Sequence, residues 1–458
     1  MKQKVVLVKL RVKFPVKRQG NGGDVGVPLG LLYLASYARQ NTDADIVIRD
    51  YRLDQAFGNV IDMERDFRDA TIIGTGACTV EFPDALEILK KAKEMGKTTV
   101  MGGIFPTSNV SSVLRNKSID FIVRGEGERV FTNLIRALSG KGPIKDVPGI
   151  SYIRDGNVVS NPDETLIPNL SVMPRPSYDL VSMDDYIKFG SAPVYASRGC
   201  PMRCKFCTPN EFWRFTYRRR SVDDIIGEIA QLKEFGFDKI NFKDESIATD
   251  QRWALELFKE LELAKFGLSY KVKLRADQVN DVLLKQMRHA GVDVIHTGIE
   301  SLSQRTLDSM DKRITAEKIE SLVELILSNG IIINPVYMLG WPGEYPEDLE
   351  KNSRFIERIG KRKGVLTYVS FITPHPGSGI ENQDGLFVLS RDYSRYSHKQ
   401  PVAAPSSLGK DGVQLMVNAY DQIAESTNTR SVNPAIPDNY VWEILKRNRT
   451  CFSGVSLE

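Results

Sequence analysis

Short apolar stretches alternate with helical patterns along most of this 458-residue chain, and that alternation limits the fold more than any other feature. "KVVLVKL" (4–10), "ADIVIRDY" (44–51), "ATIIGTGA" (70–77), "TTVMGG" (98–103) and "IDFIVRGEGE" (119–128) read as buried strands, several ending in glycines. Between them, "PLGLLYLASYARQ" (28–40) opens with a proline suited to a first helical turn. Ala85, Leu86, Ile88, Leu89, Ala92 and Met95 recur at helical spacing up to a stop at Gly96. Apolar strands joined by helices predict an α/β fold with a doubly wound parallel sheet over residues 1–140. Ligands on such sheets bind beyond the carboxyl ends of the strands, where this sequence places its glycines.

Residues 141–192 read as a connector, with "ISYIRDGNVVS" a small hairpin turning at Asp155-Gly156. From 193 to 383 the alternation resumes, with strands expected at 193–198, 238–243, 270–275, 292–298, 331–339 and 365–372. Six such βα units predict a partial (β/α)6 barrel, whose functional groups cluster at the C-terminal strand ends. Ser221 with Asp224 reads as a capping box ahead of Val222, Ile225, Ile226, Ile229 and Leu232. Residues 384–458 form a mixed segment with helices expected in "KDGVQLMVNAYDQIAES" and "DNYVWEILKRNR".

Net charge is +4, from 62 basic and 58 acidic residues, too balanced to argue for nucleic acid or an anionic membrane as the main partner. The basic, aromatic run "RFTYRRRS" (214–221) reads as a solvated turn or a contact for an acidic substrate group. The start lacks the pattern of a signal peptide, and no apolar run reaches the length of a membrane span.

Three of the five cysteines stand within eight positions, in "SRGCPMRCKFC" (197–207), at the end of a predicted strand. Thiolates are soft ligands for zinc or iron–sulfur clusters. A structural zinc shell needs four ligands, and no histidine lies within 80 residues of Cys200, Cys204 and Cys207. Three thiolates on a cubane would leave one iron open for another molecule. Buried structural thiols, or zinc with a distant fourth ligand, are the competing readings. A metal site rather than a disulfide framework points to a reducing, cytoplasmic setting.

The pattern Cys-x3-Cys-x2-Cys, with Phe206 before its last cysteine, resembles the signature of the radical S-adenosylmethionine (SAM) family. Further segments resemble that family in order. "NFKDES" (241–246) resembles the segment that meets the SAM amino group, and "KLRAD" (273–277) places Arg275 where relatives hold the SAM carboxylate. "HTGIESLSQRTLDSMDKR" (296–313) resembles the segment that turns Glu300 and Ser301 toward SAM. "YMLGWPGE" (337–344) and "ITPHPGSGI" (372–380) resemble the fifth- and sixth-strand elements, the latter with Ser378 in place of threonine. The resemblance implies a [4Fe-4S] cluster on Cys200, Cys204 and Cys207. It implies SAM contacts from Phe206, Asp244, Glu245, Ser246, Arg275, Glu300, Ser301, Tyr337, Pro376 and Gly377. Core packing is the ordinary use of Tyr337, Trp341 and Trp213, and a structural role that of His375.

"GVPLGLLYLASYAR" (26–39), "IIGTGACT" (72–79), "VMGGIFPT" (100–107) and "DFIVRGEGERVFTNLIRAL" (120–138) resemble the cobalamin-binding domain of the B12-dependent class. The resemblance implies cobalamin contacts from Val27, Leu29, Gly74, Thr75, Gly76, Cys78, Gly102, Gly103, Ile104, Gly125, Glu126 and Gly127. Strand-end glycines suit a broad flat macrocycle, which a side chain would hold away. Cys78 reads otherwise as a small buried thiol. No histidine precedes His289, so a lower-axial histidine from this domain is impossible. Many relatives lack it too, and a domain that has lost cobalamin would look the same.

What the resemblance implies as a whole is a methyltransferase acting on an unactivated carbon of a natural-product, peptide or lipid-type substrate through a 5′-deoxyadenosyl radical. An electron donor such as flavodoxin or ferredoxin is implied. The alternative is radical chemistry without methyl transfer, such as epimerisation or cyclisation. Cys451, in "RTCFSG", is a candidate hydrogen donor if the C-terminal segment folds over the site as a substrate cap.

Overall fold

A computed structural model describes residues 2–11 and 25–427. The chain divides into two compact units, Met1–Gly199 with Glu211–Asn241, and Cys200–Asn210 with Phe242–Glu458.

In the first unit, β1 (Lys4–Lys9), β2 (Asp45–Asp50), β3 (Ile72–Gly76), β4 (Thr98–Gly102) and β5 (Phe121–Val123) form a parallel sheet in the order β2-β1-β3-β4-β5. The strand order reverses at β1 and β3, which opens a crevice beyond their carboxyl ends. The predicted hairpin is present as β6 (Ile150–Arg154) and β7 (Asn157–Ser160), turning through Asp155 and Gly156 at φ 51° and 78°. It continues this sheet antiparallel beyond β5 rather than standing apart as a connector.

Six barrel strands form at the expected places, the first displaced so that it ends at Val194: β8 (Ser191–Val194), β11 (Lys239–Phe242), β12 (Ser269–Arg275), β13 (Val292–Glu300), β14 (Ile332–Leu339) and β15 (Tyr368–Phe371). Two short strands, β9 (Ser197–Arg198) and β10 (Arg218–Arg219), pair antiparallel between them. The sheet order is β15-β14-β13-β12-β11-β8, and the sheet curls into a half-barrel.

Alternation fixes the two faces of the second unit's strands. Val272, Leu274, Ile295, Ile299, Ile333, Tyr337 and Leu339 are buried, whereas Lys271, Lys273, His296, Asn334 and Met338, on the opposite face, are half-buried. Tyr337 lies against Phe355 of the helix Pro346–Gly360, with ring centroids 6.4 Å apart, so the first set faces the helices and the second faces inward. The backbone N–H of Phe371 donates to His398 O at 2.9 Å, which covers part of the free edge of β15. The hairpin Leu386–Val388 with Ala403–Pro405 and the helix Gly412–Ser426 complete this unit's described part. The expected helix "DNYVWEILKRNR" and Cys451 lie outside the described residues.

Two local expectations fail. Ser221 is the N-cap of Val222–Glu234 but makes no side-chain cap bond, and the reciprocal half of the box is missing too: Asp224 is taken by Arg220, Nε to Oδ2 at 2.7 Å, and Ser221 N–H donates to Ser171 Oγ at 2.7 Å. The run 214–221 is not a solvated turn, since Arg218 and Arg220 are buried among carboxylates of their own unit.

Candidate active site

The cysteine loop is pinned at its centre. Lys205 N–H donates to Met310 O at 3.0 Å, and Cys207 N–H to Cys204 O at 3.1 Å, which turns the chain tightly between the last two thiols. Phe206 packs edge-on against Trp341, centroids 6.2 Å apart, beside a core cluster of Met310, Ile372, Ile380 and Ala403. Trp341 is fully buried and donates from Nε1 to Ser309 Oγ at 2.6 Å, so it braces the loop from below. Cys200 and Cys204 are buried and Cys207 is half-buried.

Arg275, at the end of β12, reaches this loop. Its Nη1 donates to Cys204 Sγ at 3.3 Å and its Nη2 to Lys312 O at 2.8 Å, while Asp277 accepts from Nε at 3.0 Å. Burial pushes the Cys200 thiol up, and the Arg275 charge works against that. A guanidinium beside clustered thiols favours their thiolate form, which is what a metal centre binds. Among the described residues, no three His, Cys, Asp or Glu side chains are gathered as one metal ion requires. The fit to a cubane therefore rests on the donor set: three soft thiolates on one loop, with a cation to balance them.

Glu300 carries φ 66°, a left-handed conformation at the register shift between β13 and β14. Its carboxylate folds back over Gly298, where an added Cβ would collide with it, and accepts from Lys312 Nζ at 2.9 Å. Lys312 also lies 5.5 Å from the Phe206 ring centre. Strain of this kind at a strand end is a mark of functional sites. Ser246 accepts from Arg275 N–H at 3.1 Å and donates to Gln278. Asp244 is buried, and Glu245 is half-buried and close enough to Cys200 to act on its thiol. Pro376 and Gly377 lie in a turn closed by Ser378 Oγ donating to His375 O at 2.6 Å.

Two residues expected to face SAM do otherwise. Tyr337 is on the helix side of β14, and the inward neighbour is Met338, packed with Phe206 and Trp341. Ser301 is wholly buried and its hydroxyl accepts from Asn352 Nδ2 at 3.1 Å. Asn352 also donates to Glu344, whose carboxyl accepts from Gly340 N–H at 2.6 Å. This buried network holds the fifth-strand turn, and no local pattern in the sequence reveals it.

In the first unit, the glycines divide by cause. A Cβ at Gly103 would strike the Ala77 backbone at 2.8 Å and φ there is 99°, so the protein's own packing requires that glycine, whereas at Gly74 and Gly127 a Cβ would press on the side-chain ends of Leu7 at 3.0 Å and Leu34 at 2.7 Å, which can give way. Gly76 and Gly102 pair across β3 and β4, and a Cβ there finds nothing closer than 3.6 Å. Those two leave the strand ends bare, which suits a flat macrocycle. Thr75 Oγ1 is spent on Val8 O at 2.9 Å. Gly125 adopts φ 68° and donates to Thr107 Oγ1 at 3.1 Å. Val27 and Leu29 are buried, and Ile104 starts the short helix Ile104–Ser108. Burial, then the neighbouring Glu81, push the Cys78 thiol up to about 12, which disfavours its thiolate form. Glu81 is held by Lys9 Nζ at 2.7 Å and accepts from Cys78 N–H at 3.0 Å.

The Glu126 carboxylate is used inside the unit. It accepts from Arg198 Nη1 at 2.9 Å, Arg218 Nη1 at 2.8 Å and Ile167 N–H at 3.0 Å. Arg198 also pairs with Glu128 at 2.7 Å and lies 5.8 Å from the Trp213 ring centre. Trp213 therefore roofs this buried network.

A parallel sheet with bare strand ends, and a half-barrel carrying three thiols beside an arginine, define a two-cofactor enzyme class. The profile of the radical SAM superfamily matches residues 194–356, and that of the B12 binding domain matches residues 20–135. The chain is 31% identical over 414 residues to the uncharacterized methyltransferase PH0819 of Pyrococcus horikoshii, covering 87% of each. It is 28% identical over 403 residues to the anaerobic magnesium-protoporphyrin IX monomethyl ester cyclase of Rubrivivax gelatinosus, covering 84% of this chain and 71% of that one. Its fold matches the radical SAM methyltransferase TsrM of Kitasatospora setae with TM-score 0.73 at 16% identity, over 95% of this chain and 90% of that one. The chain belongs to the radical SAM superfamily, among its members with a B12 binding domain. No helix among the described residues is long and apolar enough to cross a membrane.

Proposed function

We propose that this protein is a cobalamin-dependent radical SAM methyltransferase that acts on an unactivated carbon of a small molecule, peptide or lipid-type substrate. The observation that carries the reading is the Arg275–Cys204 contact within a three-thiol loop at a half-barrel strand end, in a chain that also matches a B12 binding domain. Cys200, Cys204 and Cys207 would hold the cluster. Arg275 balances its charge and, with Glu245 and Glu300, would orient the SAM amino acid moiety. Phe206, Met338 and Trp341 exclude water beside it. When bound, the cluster with SAM supplies a one-electron means of breaking a C–H bond, and cobalamin carries the methyl group. Gly76 and Gly102 would admit the corrin, and residues before His289 offer no histidine for its cobalt. Residues 384–458 are proposed to cap the substrate, and a flavodoxin- or ferredoxin-type donor in the cytoplasm to supply electrons.

The test is an anaerobic preparation analysed for iron, sulfide and cobalamin, then given SAM and reductant. The reading expects about four irons per chain, as a cubane needs, bound cobalamin, 5′-deoxyadenosine, and S-adenosylhomocysteine with a methylated product. Zinc in place of iron would defeat it. The similarity to a cyclase supports a second reading, radical chemistry without methyl transfer. That reading expects 5′-deoxyadenosine with no S-adenosylhomocysteine, and loss of turnover in Cys451→Ala would then implicate that thiol as the hydrogen donor.

A further inference from the structure

The inner face of the half-barrel carries positive charge that no described residue balances with an ion pair. Lys273, His296 and Asn334 stand in register on β12, β13 and β14, one rung across three strands. Lys271 lies two residues before Lys273, on the same face of β12. Among the described residues, none of these four side chains makes a hydrogen bond or an ion pair, and Asn334 Oδ1 is buried without a partner. All four are half-buried. The charges that reach His296 are Lys273, Lys271 and Lys243, with no carboxylate among them. Burial first, and those lysines next, hold its imidazole down to about 3, so it is neutral and able to donate one N–H. Two ammonium groups, an imidazole and a carboxamide thus converge on one face with every donor unused.

A ligand with negative charge is the natural complement, because unpaired charge removed from water is costly. The place on the strand separates this site from the SAM end. Strand rise puts Lys273 about 7 Å and Lys271 about 13 Å below Arg275. A group held there would leave several carbon atoms to span the distance up to the cluster loop. We infer that this rung binds an acidic group of the substrate, a carboxylate or phosphate, and so anchors the substrate end that does not react. The inference rests on the radical SAM reading for the word substrate, but not for the anion site.

The chain has four histidines, so histidine-labelled full-length protein, reconstituted anaerobically with its cluster, gives a short list of imidazole signals. His296→Gln assigns the one of interest. Inorganic phosphate and acetate are then titrated as probes. The inference expects the His296 signal to move and saturate with at least one of them, and the better probe names the acid class. Lys271→Met with Lys273→Met should weaken that response about tenfold or more. The signals of His289, His375 and His398 should stay in place as a check on folding. If the double variant does not fold, Lys273→Gln alone serves. A His296 signal that ignores both anions, or that responds equally in the variants, overturns the inference. Reductive SAM cleavage, measured on the same wild-type sample, tests the enzyme reading separately: its absence alongside a working anion site would sink that reading and leave this one.

Discussion

The two units leave different amounts of their sheltered positive charge unpaired. In the first, Arg198, Arg218 and Arg220 meet Glu126, Glu128, Asp224 and Glu228, and Tyr178 adds a hydrogen bond to Glu228 at 2.7 Å. In the second, Lys312 is closed on Glu300, but Arg275 faces thiols and one half-exposed aspartate, and Lys271 and Lys273 make no ion pair among the described residues. Charge that is closed upon itself specifies a fold, and charge left open is an instruction for a ligand. The same basic residues therefore carry structure in one unit and chemistry in the other.

The largest expected effect breaks the open side. Cys204→Ala removes a cluster ligand and Arg275's sulfur partner, and reductive cleavage of SAM should fall to background with iron lost in proportion. The buried arginine network should survive, so the melting transition of the remaining protein should persist. Persistent cleavage would end the comparison. The closed side is broken by Arg198→Met, which leaves Glu128 buried and unpaired and should cost about 3–5 kcal/mol of stability. Molecules that stay folded should still bind iron. Adding Glu128→Leu should recover at least ~1 kcal/mol, because removing both partners is cheaper than orphaning one. A single variant within ~1 kcal/mol of the parent would show that the network is not closed as drawn. Glu126 gives the same contrast in pH. Burial alone would raise its carboxyl, but Arg198 and Arg218 hold it below the ordinary value. Its stabilisation is therefore full above the ordinary glutamate range and is lost as pH falls through its lower folded value. Glu126→Gln should flatten that acid limb in a thermal-melt series.

A smaller effect sharpens the open side. Gly298→Ala places a methyl group against the Glu300 carboxylate and beside Lys312 Nζ. The fold should hold while KM for SAM rises about tenfold, as expected when a positioning contact is displaced. An unchanged KM would remove Glu300 from the SAM site.

Much of this is legible in the sequence. The six barrel strands follow from apolar runs closed by glycine or charge, and the hairpin from Asp155-Gly156, because these signals are local. The buried network was not readable. Arg198 and Arg218 find Glu126 some 72 and 92 residues away, and composition near 214–221 says only that the run is basic. Tyr337 was misdirected by one position, which on a strand is the whole difference between two faces. The rung has a local signal of its own: "KVKLR" (271–275) alternates basic and apolar residues, which is a strand with one charged face.

The effect smallest per step, about 1 kcal/mol for each pH unit, concerns a buried acid that belongs to neither pattern. Glu344 is completely buried and has no cationic partner among the described residues; Gly340 N–H and Asn352 Nδ2 donate to it. Burial pushes its carboxyl from the ordinary 4.5 up to about 8, against those donors. Between these two values the unfolded chain has released the proton and the folded chain still holds it. Stability contributed by this group is then full below the ordinary value and declines as pH rises, by about 1 kcal/mol per pH unit across the window. Glu344→Gln keeps the shape and cannot ionise. Its melting temperature should match the parent near pH 5 and exceed it progressively toward pH 8. If the difference stays flat or changes sign, the donors have won, Glu344 is ionised in the folded protein, and the second unit carries a buried anion balanced by hydrogen bonds alone.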